Sequence, residues 1–454
     1  MQVIINTNTG INTFLNSLLG MLIGGGIFLI INLVGKLFSQ KEAMGFGDAK
    51  LMAVLGLFFG KNNIIIIFAI KCIYIMETIA MMNPFVVGRY VSDKYFCDRE
   101  GETSFLIKQI ENGRNVALIS PRRLGKTGLI QHLFHQESIE KNYHAFFVDI
   151  YATTSLTEFV YLLGKAIYDE LKPKKTVWTE RFFQIITSLR AGFKLDMVTG
   201  EPCFDIGLGD IQAPQTTLDE IFAYLETADK PCIVAIDEFQ QIGGYEEKNV
   251  EALLRTKIQQ CKQTMFIFSG SKRHLMSNMF NSSSKPFYQS AISIGLEPIP
   301  IHIYVEFANR LFEQRGKLID KSVIEEVYRM FDGYTWFVQM IMNELFALTE
   351  EGERCSMDKI EIARKNVILT QESSYKDLLA NLAPKQKLVL QAIAKEGRAE
   401  GLTSSAFIKK YKLPSASSVQ SAVKPLLKND LITQEDGFYR VYDYFFADWM
   451  ARIY

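Results

Sequence analysis

Apolar residues divide the chain into two unlike parts. Residues 14–35 form an uncharged, largely apolar run, and about 20 such residues suffice to cross a bilayer. Two shorter apolar pieces, 51–60 and 64–76, follow on either side of Lys61, Asn62 and Asn63. From about residue 82 the pattern changes to short apolar blocks between helical stripes. The blocks at 116–119, 145–150, 233–236, 264–268 and 292–294 read as strands buried on both faces. Separated by helical segments, they predict a parallel, doubly wound α/β sheet. Residues 192–208 alternate polar and apolar around Thr199-Gly200, the pattern of an inserted β-hairpin.

The last third reads differently. Val305, Phe307, Ala308, Leu311 and Phe312, then Val327, Met330 and Phe331, fall at helical spacing and predict an all-α lid. Helices over 387–394, 404–410 and 415–428, then a strand pair around Asp436-Gly437, predict a C-terminal winged helix. The aromatic C-terminus (Tyr442, Tyr444, Phe445, Phe446, Trp449) reads as packing core. The expected domains are a membrane segment over 1–76, an α/β core over 82–300, a lid over 301–375 and a winged helix over 376–454.

Composition narrows the function classes. At 454 residues the chain holds about three domains of roughly 150 residues each. Its 50 basic and 50 acidic side chains balance, which argues against a generic nucleic-acid binder. With 48% hydrophobic residues it can bury a core, which excludes extensive disorder. The six cysteines contain no CxxC pair, so neither a disulfide framework nor a zinc ribbon is expected. His132 and His135 stand at i, i+3 with no third metal ligand nearby.

The chemistry concentrates in two segments. NVALISPRRLGKTGLIQ at 115–131 runs from an apolar strand through a loop into a helix. It fits the Walker A pattern with Ser120 in place of the first glycine, followed by Gly125, Lys126, Thr127 and Gly128. Backbone N–H groups of such a loop and helix start face a β-phosphate. Lys126 would neutralise the β and γ oxygens, and the Thr127 hydroxyl would ligate Mg²⁺. PCIVAIDEFQQ at 231–241 ends a buried strand on Asp237, where open α/β sheets place ligands. Asp237 would hold Mg²⁺ and Glu238 would polarise the attacking water. The strand at 264–268 ends in SGSKR, which makes Ser271 and Arg273 candidate sensors of the γ-phosphate.

From about residue 82 the chain resembles the archaeal-type ATPases of the STAND class, signal-transduction P-loop NTPases related to AAA proteins. The resemblance rests on FCDREGE (96–102), SPRRLGKT, IDEFQQ, SGS, LEPIP (296–300) and FDGYTWFVQ (331–339), in that order. It implies that Pro298 lies near the adenine and that Gly333 belongs to a lid helix. It also implies a slow ATP/ADP switch, with Mg²⁺ as cofactor, that signals through rearrangement of lid and winged helix to a protein partner. Ahead of it, AMGFGDAKLMAVLGLFFG at 43–60 resembles type IV prepilin peptidases, membrane aspartyl proteases with a GxGD motif. The matching carboxylate is Asp48. Such chemistry needs a second aspartate, and residues 1–13 contain no Asp or Glu, so no peptidase activity is expected.

Lys36, Lys41, Lys50 and Lys61 follow the first apolar run, which orients the 36–50 loop to the cytoplasm. The expectation is an inner-membrane protein with a cytoplasmic ATPase. If instead 82–454 is a complete protein joined to a peptidase fragment, it is cytoplasmic. The remaining alternative is a nucleotide-controlled DNA-binding regulator. It is less favoured because SASSVQSAVK at 415–424 offers no arginine fork for guanine edges.

Overall fold

The computed structural model describes residues 83–171, 213–435 and 437–453, short pieces between 182 and 211, and Leu18, Leu19 and Leu22 of the N-terminal segment. The chain divides into two units, Met1–Asn83 and Pro84–Tyr454. The expected membrane run at 14–35, the 51–76 pieces and Asp48 lie outside the described residues, apart from those three leucines. Among the described residues no helix is long and apolar enough to cross a membrane.

The second unit opens with α1 (Glu100–Glu111), β1 (Val116–Ile119), α2 (Lys126–Phe134), α3 (Glu137–Asn142), β2 (His144–Asp149) and α4 (Leu156–Leu171). The antiparallel pair β3 (Phe193–Leu195) and β4 (Pro202–Phe204) supplies the expected hairpin. Then come α5 (Pro214–Glu226), β5 (Cys232–Asp237), α6 (Val250–Gln260), β6 (Thr264–Gly270), α7 (Arg273–Asn281) and β7 (Ile292–Ile294). Five of these strands form one sheet in the order β2-β5-β6-β1-β7, parallel throughout. Strand β1 lies between β6 and β7, so the loop after it opens at the carboxyl edge of the sheet.

Side-chain alternation along each strand feeds two cores. Val116, Leu118, Ile233, Ala235, Met265 and Ile267 face one cluster. Ala117, Val234, Ile236, Phe266 and Phe268 face the other. The second cluster is closed by α4, α5, α6 and α7. The first continues without interruption into the C-terminal third.

That third comprises α8 (Ile301–Glu313), β8 (Leu318–Ile319), α9 (Lys321–Met330), α10 (Thr335–Ala347), β9 (Arg354–Cys355) and α11 (Asp358–Ala380). The lid is therefore not purely helical, because β8 and β9 pair in parallel and bury Ile319 and Cys355. Two residues per strand are too few to leave a period in the sequence. The chain ends in α12 (Pro384–Glu396), α13 (Ser405–Lys410), α14 (Ala416–Lys428), β10 (Ile432–Glu435), β11 (Phe438–Val441) and α15 (Tyr444–Ile453). Strands β10 and β11 pair antiparallel as a wing. Phe445, Phe446 and Trp449 are buried.

Candidate functional site

Local backbone geometry builds the site around the start of α2. Gly125 precedes the helix with φ of 91°, a left-handed conformation that glycine adopts without Cβ strain. The first N–H groups of α2 have no partner within the helix and carry its positive dipole end. Lys126 is the first helical residue and is buried. Its Nζ donates to the carbonyl oxygens of Ser120 at 2.8 Å and Pro121 at 2.9 Å. Burial pushes its pKa down to about 8, against the opposing pull of Glu238 and Asp237. Ser120 is buried too, and its hydroxyl donates to Leu296 O at 3.2 Å. The serine thus ties the loop to the segment after β7.

The end of β5 meets this loop. Thr127 Oγ1 donates to Asp237 Oδ2 at 2.8 Å. Asp237 is buried, and its Oδ1 accepts the Glu238 amide at 3.0 Å. Glu238 has φ of 55°, which turns its side chain out of the strand. Its Oε2 accepts from Ser271 Oγ at 2.8 Å and from the Gln240 amide. Gly270 makes room for this arrangement, since a Cβ there would overlap Met276 Cγ at 2.5 Å and collide with Gln240.

One cavity of about 660 Å³ joins these groups. Its walls include Arg122–Gly128, Asp237, Glu238, Phe96, Ile299, Trp336 and Gln339. Thr335 also lines it and holds a buried hydroxyl with no hydrogen-bond partner among the described residues. A buried ammonium, a helix start and an orphaned hydroxyl around one cavity fit a phosphorylated ligand. The oxygen donors Thr127 and Asp237 fit a hard divalent cation. Among the described residues no group of three His, Cys, Asp or Glu side chains could hold a metal by itself.

Of the other candidates Ser271, Arg273 and Pro298, none lines this cavity directly. Ser271 joins it through Glu238. Arg273 does not line it; it borders a separate shallow cavity with Ser277 and Asn281. Ile299, not Pro298, lines the cavity, because Pro298 packs where a Cβ on Gly333 would lie 2.8 Å from it. His132 stacks on Phe96 with ring centroids 4.3 Å apart, and burial lowers its pKa.

Several residues of the site were not singled out in the sequence. Arg99 is buried and reaches Leu124 O at 3.2 Å while pairing with Glu102 at 2.6 Å, so the FCDREGE segment clamps the loop. Arg123 has φ of 70° and lies 4.2 Å from the Trp336 ring and 4.5 Å from that of Phe337. It also donates to Asp443 Oδ2 at 3.1 Å. Its neighbour Arg122 lies 3.7 Å from Glu238. Two adjacent arginines in a phosphate-type loop were the available signal.

The comparisons agree with this geometry. Residues 96–341 match the ATPase domain predominantly from Archaea. Residues 373–452 match a probable winged helix domain, and residues 1–79 match the type IV leader peptidase family. Among proteins of curated function, none matches the chain. The Walker-type ATPase PABY2304 of Pyrococcus abyssi aligns at 20% identity, with a TM-score of 0.55, over 82% of this chain and 100% of its own. The Aeropyrum pernix ORC2 protein, in ADPNP-ADP complexes, aligns at 14% identity, with a TM-score of 0.51, over 82% and 96%. At these identities the likeness concerns the fold. The matched loop, strand ends and lid are those that enclose the cavity, and the chain belongs to the family of ATPase domains predominantly from Archaea.

Proposed function

We propose that the chain is an Mg²⁺/ATP-dependent switch of the STAND type. ATP binds at 120–128 and is hydrolysed slowly, and the nucleotide state is expressed as the packing of lid and winged helix on the core. The observation that carries this is the buried Lys126 ammonium beside the Thr127–Asp237 pair and Glu238, in a cavity that lid residues Trp336 and Gln339 help to wall. Lys126 places one positive charge against the β and γ phosphate oxygens, in a site where burial strengthens the attraction. Thr127 and Asp237 would hold the metal, which would supply positive charge against the charge that develops on the phosphates. Glu238 would orient and polarise the attacking water once it turns from Ser271 and Gln240.

The division at 300 and 375 into core, lid and winged helix follows from the same reading. Residues 14–76 would tether the ATPase to the inner membrane on its cytoplasmic side, and no peptidase activity is assigned to them. A protein partner is favoured over duplex DNA. At the start of α14, Ser415 is spent on capping, accepting from the Ser418 amide at 3.2 Å, and no arginine stands beside it.

The test is ATP binding and turnover by the full-length chain and two variants. Lys126→Ala should abolish binding by removing the phosphate counter-charge. Glu238→Gln should keep binding and slow turnover by roughly 10²-fold or more, the usual cost of losing a water-activating group. Unchanged ATP affinity in Lys126→Ala would sink the assignment.

A further inference from the structure

Arg122 stands at the centre of a charge cluster that the phosphate-binding motif does not explain. Its Nε donates to Ser271 Oγ at 3.1 Å and lies 3.7 Å from Glu238 Oε1. Its Nη1 lies 3.8 Å from Asp430 Oδ2, in the turn between α14 and β10. The guanidinium packs over Tyr151, 5.2 Å from the ring centroid. Both ion pairs are long, so one guanidinium is shared between a carboxylate of the ATPase core and one of the winged helix, and neither holds it fully. Lys272 also faces Asp430, at 3.4 Å. Arg122 shares its loop with Lys126, whose ammonium is anchored on the neighbouring Pro121 carbonyl.

We propose that Arg122 is a positioning residue through which the phosphate site and the winged helix compete for one positive charge. This rests on the nucleotide reading above. A terminal phosphate at Lys126 and Thr127 adds negative charge beside the Arg122 loop and draws the guanidinium towards itself. The Asp430 contact then weakens, and Glu238 loses a cation that holds its carboxylate in place. A docked winged helix works in the opposite direction by keeping Arg122 on Asp430. Such coupling is reciprocal: the factor by which Asp430 weakens ATP binding equals the factor by which ATP weakens the Asp430 contact. ADP lacks the terminal phosphate and has less effect.

The test is a double-mutant cycle in the full-length chain, read as ATP and ADP affinity by calorimetry. Asp430 has φ of 54°, a conformation asparagine also tolerates, so Asp430→Asn removes the charge with little backbone strain. Asp430→Asn should tighten ATP binding by roughly two- to fivefold, the scale of a half-exposed charge pair, and tighten ADP binding less. Arg122→Gln should weaken ATP binding and erase the effect of Asp430→Asn. Lys272→Gln should leave that effect in place. An Asp430→Asn effect that is absent, that survives loss of Arg122, or that vanishes with Lys272→Gln would overturn the proposal. Hydrogen exchange of the 428–432 turn in the unaltered chain gives a readout free of variants. ATP should speed it more than ADP does, and equal rates would overturn the proposal. A chain that binds no ATP at all would instead sink the nucleotide reading, and this one with it.

Discussion

Lys126 carries its charge where burial disfavours it. A fall of its pKa from the ordinary lysine value of 10.5 to about 8 corresponds to about 3 kcal/mol held against the charged form. An arriving triphosphate relieves that penalty and raises the pKa again. The sign follows directly. Below pH 8 the free site is already charged and binding needs no proton. Above it, the free site is increasingly neutral while the complex remains charged. ATP affinity should therefore fall as pH rises above about 8, approaching tenfold per pH unit, and binding should take up a proton. Calorimetry at pH 7 and 9 in buffers of different ionisation enthalpy measures both. Affinity independent of pH, with no proton uptake, would place Lys126 away from the phosphates. Lys126, Thr127 and Asp237 were legible in the sequence because each is fixed by a local pattern, a loop before a helix or the end of a buried strand. Arg123 was not, because its partner Asp443 lies 320 residues away.

At the level of elements, the central strands β5 and β6, buried on both faces, announced themselves; β7 occupies the expected residues, Ile292–Ile294, but as an edge strand it is only partly buried, against expectation. Strand β1 likewise keeps its expected bounds, Val116–Ile119, whereas β2, β5 and β6 shift by one or two residues at their ends. Contacts between elements were less legible. Gly333, which a family resemblance alone assigned to a lid helix, lies instead in the turn before α10. Its role becomes clear in the packing: φ is 72°, and a Cβ would lie 2.6 Å from Tyr328 Cζ and 2.8 Å from Pro298 Cβ. Tyr328 in turn donates to Ile299 O at 2.6 Å, so this glycine lets α9 and α10 close against the segment that lines the cavity. Gly333→Ala combines a left-handed penalty with overlap in a packed seam. It should cost about 2–4 kcal/mol, seen as a lower urea midpoint with an unchanged slope. A loss below about 0.5 kcal/mol would mean that the seam yields freely and that the lid is not fastened there.

Across the whole second unit, the two seams around the winged helix differ in kind. Against the lid the seam has an aromatic centre, rimmed by ion pairs from Asp332 to Arg398 and Arg440 and from Arg364 to Asp448. Phe445 lies 5.3 Å from Phe331 and 5.4 Å from Phe337, and Tyr375 lies 5.1 Å from Phe446 and 5.8 Å from Trp449, between ring centroids. Around the phosphate loop the contacts are charged: Arg122 and Lys272 on Asp430, and Arg123 on Asp443. Half-exposed ion pairs contribute about 0–1 kcal/mol, whereas emptying a buried aromatic site costs about 3–5 kcal/mol. Phe445→Ala should therefore lower unfolding stability by about 3–5 kcal/mol and Asp430→Asn by less than about 1 kcal/mol. Under the proposed switch, such a difference makes the aromatic seam the lasting fastening of the winged helix to the lid, and the polar seam around Arg122 the contact that loosens when the phosphate site changes charge. Equal and small losses in urea unfolding would show that the aromatic seam is no stronger a fastening than the charged one.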